Sequence, residues 1–198
     1  MKEKSKMTKP TLDRRKVLPQ LFPTTDGYLF ISGLAGPARD AAALTGDSDK
    51  LFTMAGTMGA AVSMGLGVAL SAPESRVAVI TGDGELLMNV GSLATVASLQ
   101  PENLSIVVID NGCHGETGGQ PGHTARRTDL AKMAEAAGIA SAKTIASPDE
   151  LADGARFLQE SAGARILVAR VLHGPPSDFG RNLDPTACRL RFRNSYLA

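Results

Sequence analysis

Two short runs of uninterrupted apolar residues constrain the fold of this chain more than any other feature. They occupy residues 77–80 (Val-Ala-Val-Ile) and 106–109 (Ile-Val-Val-Ile), and each has the length of a β-strand. A strand that is apolar at every position, instead of at alternate positions, is typically buried on both faces, as in a parallel sheet covered by helices. The sequence therefore predicts two central strands of a parallel sheet.

Apolar runs of strand length alternate along the chain with stretches of helical periodicity. The candidate strands are residues 28–32, 51–54, 76–81, 104–110, 142–145 and 165–172. The candidate helices are residues 58–70, 87–99, 128–137 and 148–161, with Gly138 expected to end the third and Ser147 to begin the fourth. This alternation predicts the α/β class: a doubly wound, mainly parallel sheet of about six strands with helices on both faces.

The length of 198 residues favours a single domain. We expect that domain over residues 21–198, after an N-terminal tail at residues 1–20 that includes the start of a first helix. A net charge of +1 gives no reason to expect nucleic acid or an anionic membrane as a partner, and the longest nearly apolar run, residues 60–72, is too short to span a bilayer. Cys113 and Cys188 lack the spacing of metal ligands, which makes a reducing, cytoplasmic setting the simplest interpretation.

Two glycine-rich segments that follow predicted strands are candidates for a ligand site, since ligands of doubly wound folds bind beyond the carboxyl ends of the strands. The first is residues 81–89 (Thr-Gly-Asp-Gly-Glu-Leu-Leu-Met-Asn). Gly82 and Gly84 let the backbone turn sharply and approach a ligand closely. The N–H groups of Gly84 and Glu85 are then expected to point at an anion.

The second segment, residues 108–120, contains an amide that complements a carboxylate of the first. Asn111 lies in this segment, and Asp83 lies between the two glycines of the first. Carboxylate and amide oxygens are ligands that suit Mg²⁺, and such an ion would anchor a diphosphate without a lysine. The chain has no P-loop pattern, and the glycines after the strand do not form the dinucleotide fingerprint Gly-x-Gly-x-x-Gly.

The same residues resemble the signature of thiamine diphosphate-dependent enzymes. Gly82-Asp83-Gly84 followed by Asp110-Asn111 is similar to that family's Gly-Asp-Gly and Asn-Asn elements, with Asp110 in place of the first Asn. A loop at residues 54–59 (Met-Ala-Gly-Thr-Met-Gly) looks like the family's loop around the aminopyrimidine ring. Over residues 25–175 the chain looks most like the diphosphate-binding domain of sulfopyruvate and phosphonopyruvate decarboxylases.

The resemblance implies that thiamine diphosphate and Mg²⁺ are the cofactors. It implies that Asp83, Asn111 and the main-chain carbonyl of Cys113 are the metal ligands. The carbonyl of Gly56 would contact the aminopyrimidine, and Met58 would hold the cofactor in its V shape. The full set of cofactor-binding residues implied in this way is Gly56, Thr57, Met58, Gly82, Asp83, Gly84, Glu85, Asn111, Cys113, His114, Gly115 and Glu116.

An activity and a partner also follow from the resemblance. The chain would be the cofactor-binding subunit of a heteromeric 2-oxoacid decarboxylase of the sulfopyruvate or phosphonopyruvate type, releasing CO₂ and an aldehyde. The activating glutamate is expected on a partner, an α-type subunit with a pyrimidine-binding domain, and self-association is expected too. The substrate would be a small acidic 2-oxoacid. His114 and His123 are candidate substrate contacts, whereas Arg126 and Arg127 would face either its distal acid group or solvent.

Three alternatives remain open at the level of sequence. The chain could belong to a 2-oxoacid:ferredoxin oxidoreductase or to a carboligase like acetolactate synthase. Because two isolated cysteines cannot hold an iron–sulfur cluster, an oxidoreductase would need its cluster on a partner. A non-catalytic cofactor-binding or regulatory subunit is an alternative of a different class.

Overall fold

The structure is a computed structural model that describes residues 9–197, so the first eight residues of the predicted tail lie outside the described residues. Eight strands are described. They are β1 (Tyr28–Ser32), β2 (Leu51–Thr53), β3 (Arg76–Gly82), β4 (Leu104–Asp110), β5 (Cys113–His114), β6 (Gln120–Pro121), β7 (Ser141–Ile145) and β8 (Arg165–Arg170). Six of them form a parallel sheet in the order β2-β1-β3-β4-β8-β7, while β5 and β6 pair as a small antiparallel hairpin.

Helices cover both faces of the six-stranded sheet. They are α1 (Arg14–Leu21), α2 (Ala35–Thr45), α3 (Ala61–Ser71), α4 (Asp83–Met88), α5 (Ser92–Leu99), α6 (Leu130–Ala137), α7 (Leu151–Glu160) and α8 (Pro185–Leu197). Buried side chains of α1, α2 and α7 pack on one face, and those of α3, α5 and α6 pack on the other. The predicted doubly wound α/β fold is confirmed.

Strand β4 shows why the uninterrupted apolar run was informative. All seven of its residues are buried. Ile106 and Val108 pack into the core on one face of the sheet, and Val107 and Ile109 pack into the core on the other. Burying each such side chain contributes roughly 1.5–3 kcal/mol, so a strand of this kind is stable only where helices cover both faces.

Local capping fixes the ends of the later helices as expected. The side chain of Asp129 accepts a hydrogen bond from the N–H of Lys132 at the start of α6, and Gly138 ends that helix in the left-handed conformation with φ 105°. Ser147 and Glu150 form a capping box ahead of α7, so each side chain satisfies a free N–H group of the other's backbone.

The stretch predicted as one helix over residues 87–99 is two helices instead. The first, α4, already begins at Asp83, and a turn around Asn89 separates it from α5. Asn89 is the C-cap of α4, and its side-chain amide donates to the carbonyl of Gly59 at 3.0 Å. Helix α3 likewise begins at Ala61 and not at residue 58, because Gly59 adopts a positive φ of 85° just before it.

The chain segments at both ends of the described range join the same fold. Leu12 forms a parallel bridge with Val171, and Val17 and Leu18 of α1 are buried in the core. No prediction covered α2 or α8, and the division of the chain at residue 20 stays a prediction. Within residues 9–197 every helix is too short or too polar to cross a membrane.

Candidate functional site

A pocket of about 750 Å³ opens at the carboxyl edge of the sheet. Loops that follow β1, β3, β4 and β8 supply most of its wall, which is the edge where the sequence placed a ligand. The lining consists of residues 34–37, 82–85, 113–117 and 173–176, together with Arg14, Met58, Ile109 and Asn111.

Two buried aspartates lie at the base of this edge, at the ends of neighbouring strands. The hydroxyl of Thr124 lies 3.0 Å from Oδ2 of Asp83 and 2.7 Å from Oδ1 of Asp110. One hydroxyl proton cannot satisfy both oxygens at once. Burial, and then the charge of Asp110, raise the pKa of Asp83 to about 6. Asp110 has the Arg170 guanidinium 3.8 Å from its Oδ2, so a cation bound here would chiefly offset the charge of Asp83.

Asn111 is held in place by the loop that follows β4. Its Oδ1 accepts a hydrogen bond from the N–H of Cys113 at 3.1 Å, and a carbonyl oxygen has a second lone pair for a metal. The loop returns to the strand where the N–H of Gly122 donates to the carbonyl of Gly112 at 2.7 Å. A Cβ on Gly122 would lie 3.4 Å from Oδ2 of Asp83, so glycine lets this loop pack against the carboxylate.

These donors fit Mg²⁺ better than a transition metal. Within residues 9–197 no group of three or more His, Cys, Asp or Glu side chains is placed to hold a metal. The predicted set combines one carboxylate, one amide oxygen and one main-chain carbonyl, all of them hard oxygen ligands. Such a set leaves coordination positions for the oxygens of a ligand or of water.

Glu85 lines the pocket, but its carboxylate faces the protein. Oε2 accepts hydrogen bonds from the hydroxyl of Thr81 at 2.8 Å and from the N–H of Leu34 at 3.2 Å. A Cβ added to Gly33 would lie only 1.6 Å from Oε2, so the carboxylate fills the space above that glycine. Burial raises the pKa of Glu85. Oε1 of Glu85 has no hydrogen-bond partner among the described residues, and the predicted cofactor contact of Glu85 stays a prediction.

Met58 lies in the loop before α3, where its side chain is 41% exposed and lines the pocket. Gly56 in the same loop has a φ of 81°, which favours glycine. Gly56 and Thr57 are exposed on this loop and do not line the pocket. Met58 and the Gly82–Gly84 turn therefore line one cavity.

Two histidines line the pocket, His114 from the loop after β4 and His173 from the segment after β8. A Cβ on Gly84 would lie 3.6 Å from the ring of His114, so His114 lies beside the Gly-Asp-Gly turn. The Sγ of Cys113 lies 2.9 Å from Nδ1 of His173. Burial raises the pKa of the Cys113 thiol. Gly115 and Glu116 complete this wall, and their contact with a cofactor stays a prediction.

His123, a candidate substrate contact, and the pair Arg126 and Arg127, for which solvent was the alternative, do not reach the pocket of this chain. His123, Arg126 and Arg127 are exposed and lie outside the lining. The carbonyl of His123 accepts hydrogen bonds from the N–H groups of Arg126 and Arg127 at 3.0 and 3.1 Å, so the three residues form an outward turn. Their role in substrate binding stays a prediction.

Among the pocket residues that sequence reasoning did not predict are two with basic side chains, Arg14 and His173. The rule that ligands bind beyond the carboxyl ends of strands could have indicated His173, which closely follows β8. No comparable signal marks Arg14, because it lies in a basic stretch that reads as a solvated tail.

Comparison with known proteins agrees with this geometry. Residues 48–168 match the family described as "Thiamine pyrophosphate enzyme, C-terminal TPP binding domain". The chain is 32% identical to the sulfopyruvate decarboxylase subunit beta of Methanococcus maripaludis, over 93% of this chain and 97% of that protein. It is 38% identical to the phosphonopyruvate decarboxylase of Streptomyces viridochromogenes, over 74% of this chain but 37% of that longer protein. In fold it resembles a thiamine diphosphate-dependent 4-hydroxybenzoylformate decarboxylase from Rhodococcus jostii RHA1, with a TM-score of 0.68 and 16% identity over 87% of this chain and 35% of that one.

Proposed function

This chain belongs to the thiamine pyrophosphate enzyme family, and we propose that it is the cofactor-binding subunit of a heteromeric 2-oxoacid decarboxylase. The substrate class is a small acidic 2-oxoacid of the sulfopyruvate or phosphonopyruvate type, and the products are CO₂ and an aldehyde. One observation carries the proposal. Asp83, Asn111 and Cys113 converge on one pocket in a chain that aligns with nearly the whole of a sulfopyruvate decarboxylase subunit beta.

Thiamine diphosphate and Mg²⁺ are the cofactors, and three oxygens of this chain would hold the metal. They are the carboxylate of Asp83, the amide oxygen of Asn111 and the main-chain carbonyl of Cys113. The N–H groups of Gly84 and Glu85 would donate to the diphosphate. When bound, the cofactor supplies the centre that stabilises the negative charge left as CO₂ departs.

We assign the positioning of the cofactor's reactive end to the loop before α3. The carbonyl of Gly56 would accept from the aminopyrimidine, and Met58 would press the cofactor into its bent shape. Support comes from the position of Met58, which is partly exposed yet lines the same pocket as Asp83. Holding reacting groups in alignment is the contribution that a wedge of this kind makes to rate.

A partner subunit is part of the proposal, because the pocket of this chain offers no suitable activating glutamate among its described lining residues. Glu85 is bonded to Thr81 and Leu34, and Glu116 lies exposed on the loop beside the metal ligands. The glutamate would therefore come from an α-type subunit with a pyrimidine-binding domain. Met58 and Met88 are 41% and 65% exposed, which suits burial against such a partner or another copy of this chain.

Reconstitution tests the proposal. The isolated chain, with saturating thiamine diphosphate and Mg²⁺, is expected to show no decarboxylation of sulfopyruvate, phosphonopyruvate or pyruvate. Addition of the α-type subunit is expected to restore CO₂ release and yield an aldehyde from an acidic 2-oxoacid. Full turnover by the isolated chain would refute the need for a partner. An acyloin product, or a requirement for an electron acceptor, would identify a carboligase or an oxidoreductase instead.

A further inference from the structure

Arg14 is a buried cation in the wall of the cofactor pocket. It is the first residue of α1, is only 5% exposed, and lines the same cavity as the Gly82–Gly84 turn. Among the described residues that line this pocket, Arg14 is the one arginine or lysine, whereas the acidic side chains number three: Asp83, Glu85 and Glu116. The lining has little fixed positive charge apart from Arg14.

The guanidinium of Arg14 is fixed on two sides. Its Nε and Nη2 donate to Oδ2 of Asp40 at 2.9 and 2.7 Å. The other oxygen of Asp40 accepts a hydrogen bond from the N–H of Ser177 at 2.8 Å. A Cβ on Gly36 would lie 2.3 Å from Nη2, so the backbone at Gly36 rests directly on the guanidinium. The cation is thus held by two hydrogen bonds to Asp40 and by the close backbone at Gly36, which preorganises it for a ligand.

The charge balance of the pocket requires a further cation. A diphosphate ester carries more negative charge than one Mg²⁺ neutralises, and Asp83 adds another. Inside a buried site that excess is costly unless a positive group compensates it. Arg14 lines the same pocket as Asp83, so its guanidinium is placed to compensate part of that charge.

We propose that Arg14 binds the terminal phosphate of the cofactor, with Asp40 as the positioning residue that holds its guanidinium. This inference rests on the proposed function. Nε and Nη2 are engaged by Asp40, and Nη1 carries two further N–H donors suited to a phosphate oxygen. The guanidinium of Arg14 contacts Gly36, and the neighbouring Pro37 lies 3.5 Å from a Cβ built on Gly82. Arg14 is therefore on the Gly-Asp-Gly side of the pocket. This placement favours a contact with the cofactor over a contact with a sulfonate of the substrate.

The test uses a variant that removes the cation without leaving a buried charge unpaired. Arg14→Met alone would strand Asp40, which is strongly destabilising. In Arg14→Met/Asp40→Asn the amide oxygen still accepts from the N–H of Ser177, and no charge is left unpaired. Arg14→Lys is the second variant, since it keeps the charge but loses the planar fork. Arg39→Gln is the matched control, because Arg39 is exposed on α2 next to Asp40 and lies outside the pocket lining.

Calorimetry of the full chain with its partner subunit, using inorganic pyrophosphate plus Mg²⁺ and then thiamine diphosphate plus Mg²⁺, gives a readout independent of turnover. A lost charge-assisted contact predicts binding about ten- to a hundredfold weaker in Arg14→Met/Asp40→Asn, and a smaller loss in Arg14→Lys. Arg39→Gln should bind like wild type.

Each other result has a definite meaning. If the folded double variant binds Mg²⁺–pyrophosphate as tightly as Arg39→Gln, the role of Arg14 is refuted while the proposed function stands. If the double variant binds the cofactor normally and loses only the binding of a small sulfonate, measured by competition, then Arg14 binds the substrate. That result also refutes the role of Arg14 in cofactor binding and leaves the proposed function standing. If the wild-type complex itself binds neither probe, the proposed function is overturned and this inference with it.

Discussion

Replacing Asp83 by Asn should stabilise the metal-free chain while abolishing its response to cofactor. Asp83 is buried beside Asp110, and the Thr124 hydroxyl is shared between the two carboxylates. Ionisation of both side chains therefore places like charges close together in a poorly solvated site. Asn keeps the shape and an acceptor for Thr124 but removes one of the charges. The same change removes the only anionic metal ligand that we assign.

The expected magnitude follows from the pKa of Asp83, which rises from 3.8 to about 6 on folding. A carboxyl whose pKa is raised binds its proton more tightly in the folded chain. Its favourable contribution is fully present below pH 3.8 and is lost as the pH rises through about 6. The difference corresponds to roughly 3 kcal/mol at pH 8. Asp83→Asn should recover a large part of this free energy at pH 8 and little of it at pH 4.

Urea unfolding in the presence of EDTA, at pH 4 and pH 8, measures this difference. Asp178→Asn is the matched control because Asp178 is exposed and outside the pocket lining. In a second arm, Mg²⁺ and thiamine diphosphate at a hundredfold excess over Kd should stabilise wild type by about 2.7 kcal/mol and the variant by much less. Equal stability of wild type and Asp83→Asn at pH 8 in EDTA would refute the electrostatic argument. Equal stabilisation by cofactor would refute the metal assignment.

Three further predictions concern the same pocket. Met58→Ala should lower kcat about a hundredfold while changing cofactor Kd far less, since misalignment of about 1 Å has that effect on rate; an unchanged kcat would return Met58 to a packing role. Asn111→Ala should weaken Mg²⁺-dependent cofactor binding at least about tenfold, because it removes a side-chain metal ligand. Cys113→Ser should not weaken it, because only the main-chain carbonyl of Cys113 is a ligand. Calorimetry that finds the reverse order would contradict the assignment. Gly33→Ala should destabilise the chain by about 2 kcal/mol, because the added Cβ displaces the Glu85 carboxylate. Gly33→Ala/Glu85→Ala should be no less stable than Gly33→Ala. A much less stable double variant would show that the clash between the Cβ and the carboxylate is not the cause.

The sequence alone predicted the sheet and the edge where the pocket forms. Apolar runs identified β1, β3 and β4 almost to the residue, because a doubly covered strand must be apolar at every position. Caps around Gly138 and Ser147 were equally readable, since a capping residue bonds only within its own turn. The predicted contacts Asp83 and Asn111 line one pocket because both follow strands that are neighbours in the sheet.

Only the tertiary structure decided which distant side chains meet at that edge. Arg14 pairs with Asp40 across 26 positions, and Cys113 meets His173 across 60. These contacts depend on the sheet order, in which β8 lies beside β4, and on how α1 packs under the start of α2. Periodicity and capping report a residue's own neighbours along the chain, so they carry no information about such pairs. The sequence therefore determined where the pocket lies, and the packing of remote segments decided which charges line it.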